Sequence, residues 1–116
     1  MKKMKVALMV TYEGAYPGRE HKAFELGAEI DAFFGKMAAE GKCSAAQQFI
    51  SPATGKGLWL VKGDRATIEE ILDTEEAKLL DARCTVLLRH YTWELVLADE
   101  EVDAFLMRQA KALESV

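Results

Sequence analysis

Residues Val6 to Tyr12, reading VALMVTY, are apolar at almost every position, and a strand of that composition has to be covered on both faces. It belongs in the middle of a sheet. The next segment is helical: past the loop Glu13-Gly14-Ala15-Tyr16-Pro17-Gly18, residues Ala23, Leu26, Ile30, Phe33 and Met37 recur at steps of 3, 4, 3 and 4, and Gly41 supplies the stop. A buried strand leading into an amphipathic helix sets the frame for the rest of the chain.

Cys43 to Ile50 alternates imperfectly, with Gln47 and Gln48 in its middle, and the turn Ser51-Pro52-Ala53-Thr54-Gly55-Lys56-Gly57 separates it from apolar Leu58 to Val61. Two strands joined by a glycine-rich turn are expected there. Thr67 with Glu70 has capping-box spacing for a second helix carrying Ile68, Ile71 and Leu72, and a break is expected at Asp73-Thr74. Thr74 then caps a further turn that begins with Glu75 and Glu76 and buries Leu79 and Leu80. Thr85 to Leu97 is the longest β-rich run and reads as the last strand, and Asp99 starts a final helix with Val102, Phe105, Leu106, Gln109 and Leu113 on one stripe. Phe24 and Phe34 lie off the main stripe of the first helix, as do Gly27 and Gly35, and are expected to pack against that final helix.

The order strand, helix, strand, strand, helix, strand is the split βαβ arrangement, an α+β ferredoxin-like fold with antiparallel sheet order 4-1-3-2. Right-handed crossovers put both main helices on one face. The other face is then bare, with Met9, Ile50, Trp59 and Tyr91 or Trp93 as its expected apolar residues, a patch too large for a monomer. Two copies stacked face to face close a dimeric α/β barrel, so a homodimer is expected, with the partner a second copy of the chain. The 116 residues suffice for one domain, with a core over residues 4–98 and the additional helix over 99–115.

Charge narrows the partners. Residues 1–58 hold 8 basic and 6 acidic side chains and residues 59–116 hold 7 and 13, with no clustered basic stripe in either half. Nucleic acid and anionic membranes are therefore not expected partners. Lys2, Lys3 and Lys5 precede an apolar run too short for a signal peptide, and no run approaches a membrane span, so a cytoplasmic protein is expected. Cys43 and Cys84 show no CxxC spacing and have no neighbouring histidine, so they read as free thiols at the starts of opposite edge strands, too far apart to bridge. Neither a metal nor any other cofactor is implied by the sequence.

The pattern resembles the dimeric α/β-barrel superfamily, which includes YCII-related proteins, muconolactone-isomerase-like enzymes and cofactor-free polyketide monooxygenases. Residues similar to the YCII-related pattern are Arg19 and His21 at the start of the first helix, Gly41 at its end, the Ser51-Pro52 turn and Asp73. The resemblance implies that His21 and Asp73 act together as the catalytic pair in a barrel cleft. Thr74 stands where that family usually has proline, and the final helix is an addition.

Two groups of residues could line such a cleft. Tyr12, Glu13, Tyr16, Arg19, His21, Gln48 and Trp59 are expected near one rim of the barrel, offering a base, a cation, hydrogen-bonding groups and an aromatic wall. Along the last strand, alternation puts Arg89, Tyr91 and Trp93 on one face and His90, Thr92 and Glu94 on the other. With the first set inward, the cleft suits a small anionic or aromatic ligand. With the second inward, His90 and Glu94 become the acid-base pair, and the overhanging strand could equally serve only the dimer interface. Two functions are compatible with these residues. One is a cofactor-independent isomerase, lyase or monooxygenase-like enzyme using acid-base chemistry, and the other is a non-catalytic ligand-sensing or dimerisation module.

Overall fold

The computed structural model describes residues 4–116, so Lys2 and Lys3 of the basic trio lie outside the described residues. Its elements are β1 (Val6–Tyr12), α1 (Glu20–Ala39), β2 (Gln47–Ile50), β3 (Gly57–Gly63), α2 (Arg65–Leu72), α3 (Glu75–Leu87), β4 (Thr92–Leu97) and α4 (Glu100–Leu113). The four strands form one antiparallel sheet in the order β2-β3-β1-β4, which is the expected 4-1-3-2 read from the other edge. β1 is central, as its composition requires.

The registers divide the sheet cleanly into two faces. Val10 stands opposite Trp59 on β3 and Trp93 on β4, whereas Met9 stands opposite Leu60 and Glu94. Val6, Leu8, Val10, Trp59 and Val61 point into one buried cluster with Leu26, Ile30, Phe33 and Phe34 of α1 and Ala77, Leu80 and Cys84 of α3. Each large apolar side chain buried there contributes roughly 1.5–3 kcal/mol of transfer free energy. Ala7, Met9, Thr11, Leu58, Leu60, Thr92, Glu94 and Val96 point the other way.

This division corrects the expected composition of the uncovered face. Met9 is there, but Trp59, Trp93 and Ile50 share the parity of Val10 and Tyr12 and face the helices, and Tyr91 packs against the core. The apolar residues of the open face are instead Met9, Leu58, Leu60, Phe49 and Val96.

Several boundaries also differ. The second strand begins at Gln47 rather than Cys43, and the helix expected to start at a Thr67 cap starts at Arg65, with Thr67 buried inside it. Thr74 does cap α3, accepting the Ala77 amide at 3.2 Å. α3 then runs on through residues expected to be strand, because Ala77, Leu80, Cys84 and Leu87 continue a helical stripe onto the core. Cys84 is therefore a buried helix residue and not the first residue of an edge strand, and both thiols are free. His90, in the left-handed region at φ 52°, then reverses the chain into β4.

Phe34 joins the core, its ring 5.1 Å from that of Phe33, while Phe24 is 81% exposed and thus not packed under α4. Gly27 and Gly35 have nothing within 4 Å of a hypothetical Cβ, so no close approach explains them. No helix of the described residues is long and apolar enough to cross a membrane.

Candidate functional site

Between the helix-facing side of the sheet and α1 and α3 lies a half-open cavity of about 80 Å³. Leu8, Val10 and Trp59 form its floor, Ile30, Phe33 and Phe34 one wall, and Leu80 and Cys84 another. Trp93 stands at its edge, 45% exposed, where the cavity approaches solvent. This half-open pocket is lined by residues of the sheet and the helices of one chain.

Few polar groups lie around it, and Trp59 lines both this pocket and a neighbouring cleft with Tyr12 and Gln48. Trp59 is 6% exposed, yet its Nε1 has no hydrogen-bond partner, although leaving a buried N–H unpaired costs about 1–3 kcal/mol. At the other side Tyr91 donates its hydroxyl to Asp81 Oδ1 at 2.6 Å. Cys84 lies beside this pair in the lining. Burial pushes the Cys84 thiol up to about 12, so it is neither nucleophile nor base near neutrality. Burial and the bond to Asp81 likewise raise Tyr91, which stays a neutral phenol. Lys78 and Asp81 are the charged side chains in the lining.

Tyr12 and Trp59 meet, as expected of neighbours on one rim, with ring centroids 5.9 Å apart and planes tilted by 52°. Burial raises the Tyr12 phenol, and a Cβ on Gly57 would lie 2.4 Å from its ring. Gln48 faces the same side but gives its amide to Asp31 Oδ1 on α1 at 2.7 Å.

The other expected site residues are engaged elsewhere. Arg19 donates to the Val86 carbonyl and lies over the Tyr16 ring, with its guanidinium carbon 5.5 Å from the centroid. Arg89 donates to the Glu13 carbonyl at 2.8 Å, and the two backbones are joined by Glu13 N–H to Arg89 O at 2.8 Å. Both arginines thereby stitch the β1–α1 loop to the end of α3. The Glu13 carboxylate stands 3.5 Å from Lys56 Nζ and 3.4 Å from His90 Nε2, at the surface.

His21 and Asp73 are not brought together. The His21 side chain is 84% exposed and pairs with Glu25 at 3.1 Å, one helical turn on. Asp73 is as open to solvent at the α2–α3 break and pairs with Lys78 at 3.3 Å. For the last strand, Tyr91 and Trp93 turn toward the cavity while Thr92 and Glu94 face away, Thr92 sharing a 2.7 Å hydroxyl contact with Thr11. Sequence reasoning missed Asp81 altogether and placed Cys84 on a strand. The signal that finds both is the Ala77, Leu80, Cys84, Leu87 spacing, which makes this segment a helix with Asp81 beside its buried stripe. Among the described residues no group of three or more His, Cys, Asp or Glu side chains could hold a metal ion.

No protein-family profile matches the sequence, and no curated protein is similar to it. Solved structures are similar. The Mycobacterium tuberculosis protein Rv0793 superposes with a TM-score of 0.65 at 18% identity, covering 81% of this chain and 94% of its own. An antibiotic biosynthesis monooxygenase gives 0.61 at 20% identity, covering 81% and 96%. NE2512 of Nitrosomonas europaea, a protein of unknown function, gives 0.59 at 25% identity, covering 81% and 88%. The chain has the ferredoxin-like α+β fold of the dimeric α/β-barrel proteins.

Proposed function

We propose that the protein binds a small, mostly apolar carbonyl compound in its half-open cavity, with the Trp59 indole N–H donating to the carbonyl oxygen. The unpaired Nε1 carries this reading, because a ligand acceptor satisfies a donor that the fold leaves buried and alone. The size of the cavity limits the occupant. An apolar cavity of about 150 Å³ holds benzene, so the present 80 Å³ suits a short-chain ketone, or a single ring once Trp93 swings outward.

The same geometry supports proton transfer next to that carbonyl. Asp81 takes a proton from the carbon adjacent to the carbonyl, Trp59 donates to the resulting enolate oxygen, and the proton returns to the same or a neighbouring carbon. Tyr91 orients the Asp81 carboxylate. The likeness to an antibiotic biosynthesis monooxygenase is in keeping with a small-molecule site of this kind.

The test compares butanone and acetophenone with pentane and ethylbenzene, hydrocarbons of similar shape, by tryptophan fluorescence titration. The ketones should bind about tenfold more tightly, and Trp59→Phe should erase the difference. Equal affinity for ketone and hydrocarbon overturns the assignment. Exchange of ketone α-protons with deuterated water, abolished in Asp81→Asn, identifies an enzyme. Tight binding without exchange identifies a ligand carrier.

Self-association through the open sheet face belongs to this reading as well. Met9, Leu58, Leu60, Phe49 and Val96 form an apolar surface whose natural cover is its own copy, since an isologous contact matches any face to itself about a two-fold axis.

A further inference from the structure

The root of α4 is fixed on the open face of the sheet. Lys62, opposite Ala7 on that face, donates to Asp99 Oδ1 at 2.9 Å, and Lys5, in phase with Ala7, stands 3.8 Å from Glu101 Oε1. Ala7 is buried between them. Asp99 turns the chain there with φ 52° and ψ −129°, a conformation that a non-glycine residue adopts only under tertiary constraint.

Beyond this root α4 leaves its own chain. None of its residues is buried, and Val102, Phe105, Leu106 and Leu113 form one stripe with exposures rising from 39% to 71%. The radius of gyration, 16.2 Å, exceeds the roughly 13 Å of a compact domain of this length, and the longest extent is 54 Å. The stripe is an apolar surface rooted at the edge of the open face.

The charges on the two surfaces are complementary. Glu94 stands opposite Met9 in the open face, exposed and without a partner among the described residues, and Arg108 on α4 is an exposed cation likewise without a partner. Every copy of the chain carries both, so a two-fold axis closes two such pairs at once. A different partner would need an unrelated acid and base at matching positions.

The geometry points to a mutual clasp: in the dimer, α4 of each chain lays its apolar stripe across the other and brings Arg108 to Glu94 of the partner subunit. This rests on the self-association reading above and adds the element that locks it.

Sedimentation equilibrium on the full chain, with Glu94→Arg and Arg108→Glu variants, tests it. Both positions are exposed, and unchanged circular dichroism will verify folding. Each variant alone opposes like charges and should raise the dimer dissociation constant about tenfold or more. An equimolar mixture of the two restores an acid-base pair at both contacts, so it should form heterodimers with near wild-type affinity, seen by native mass spectrometry. Variants that dimerise like wild type, or a mixture that gains nothing over its components, overturn the clasp while leaving the sheet dimer standing. A wild-type chain that stays monomeric at micromolar concentration overturns both.

Discussion

The aromatic ring of Tyr12 lies over Gly57 and tilts against Trp59, so one backbone position on β3 controls how two aromatic residues beside the cavity are seated. The chain has no room for a methyl group there: a Cβ at residue 57 would fall 2.4 Å from the Tyr12 ring. Gly57→Ala should therefore displace Tyr12, lower stability by about 1–3 kcal/mol and alter the tryptophan emission of the native state. Chemical denaturation followed by fluorescence measures both, and a variant with wild-type stability and spectrum contradicts the packing described.

Removing the cap at the α2–α3 break isolates a different contribution. Thr74 accepts from the Ala77 amide and donates to the Ile71 carbonyl at 2.7 Å. Thr74→Ala should cost about 1 kcal/mol, while Thr74→Ser retains most of the stability. Thermal unfolding of the pair distinguishes capping from simple loss of a methyl group.

Alkaline pH should unfold the protein through its buried thiol. Cys84 is raised by burial from its ordinary value near 9 to about 12, so below pH 9 both folded and unfolded chains hold the proton. Between pH 9 and 12 the unfolded chain releases it and the folded chain does not, so stability falls as pH rises, at up to about 1.4 kcal/mol per pH unit. Burial raises the Cys43 thiol as well, adding to the loss from pH 9, and Tyr12 and Tyr91 are raised too and add to it above pH 10. Cys84→Ala should lower overall stability yet make this alkaline limb shallower between pH 9 and 10, and a thiol reagent at pH 8 should modify Cys84 only on unfolding.

His21 and Asp81 should behave oppositely. His21→Ala removes a solvent-facing side chain whose one partner is Glu25, and ketone affinity and proton exchange should stay within twofold of wild type. Asp81→Asn keeps the shape while removing the proton acceptor in the cavity lining, and should lower exchange by a hundredfold or more. Loss of exchange in the His21 variant would return the chemistry to the exposed end of α1.

Most of the fold was legible from two segments. The unbroken apolar run of β1 could only be central, and the stripe from Ala23 to Met37 could only be a helix lying on it. Sheet order then followed from connection rules. The path between Thr85 and Tyr91 was not legible, because β-branched and aromatic residues there suggest strand while the core contacts of Leu80, Cys84 and Leu87 hold the segment helical. Local preference lost to packing, as it does for marginal sequences. That one error moved Cys84 and Asp81 out of view and turned attention to His21, whose position in the first turn of a helix is visible in sequence but whose exposure is not. The parity of Trp59 against Val10 was equally hidden, since a single residue of register decides which face of the sheet it joins.

The alternation of β1 gives adjacent residues separate duties. Even-numbered positions look into the cavity side and odd-numbered ones toward the uncovered surface, so substitutions one residue apart act on different properties of the molecule. On the proposed reading, ligand preference and subunit affinity drift independently along a single seven-residue stretch, with Leu8 or Val10 adjusting the former and Met9 or Thr11 the latter.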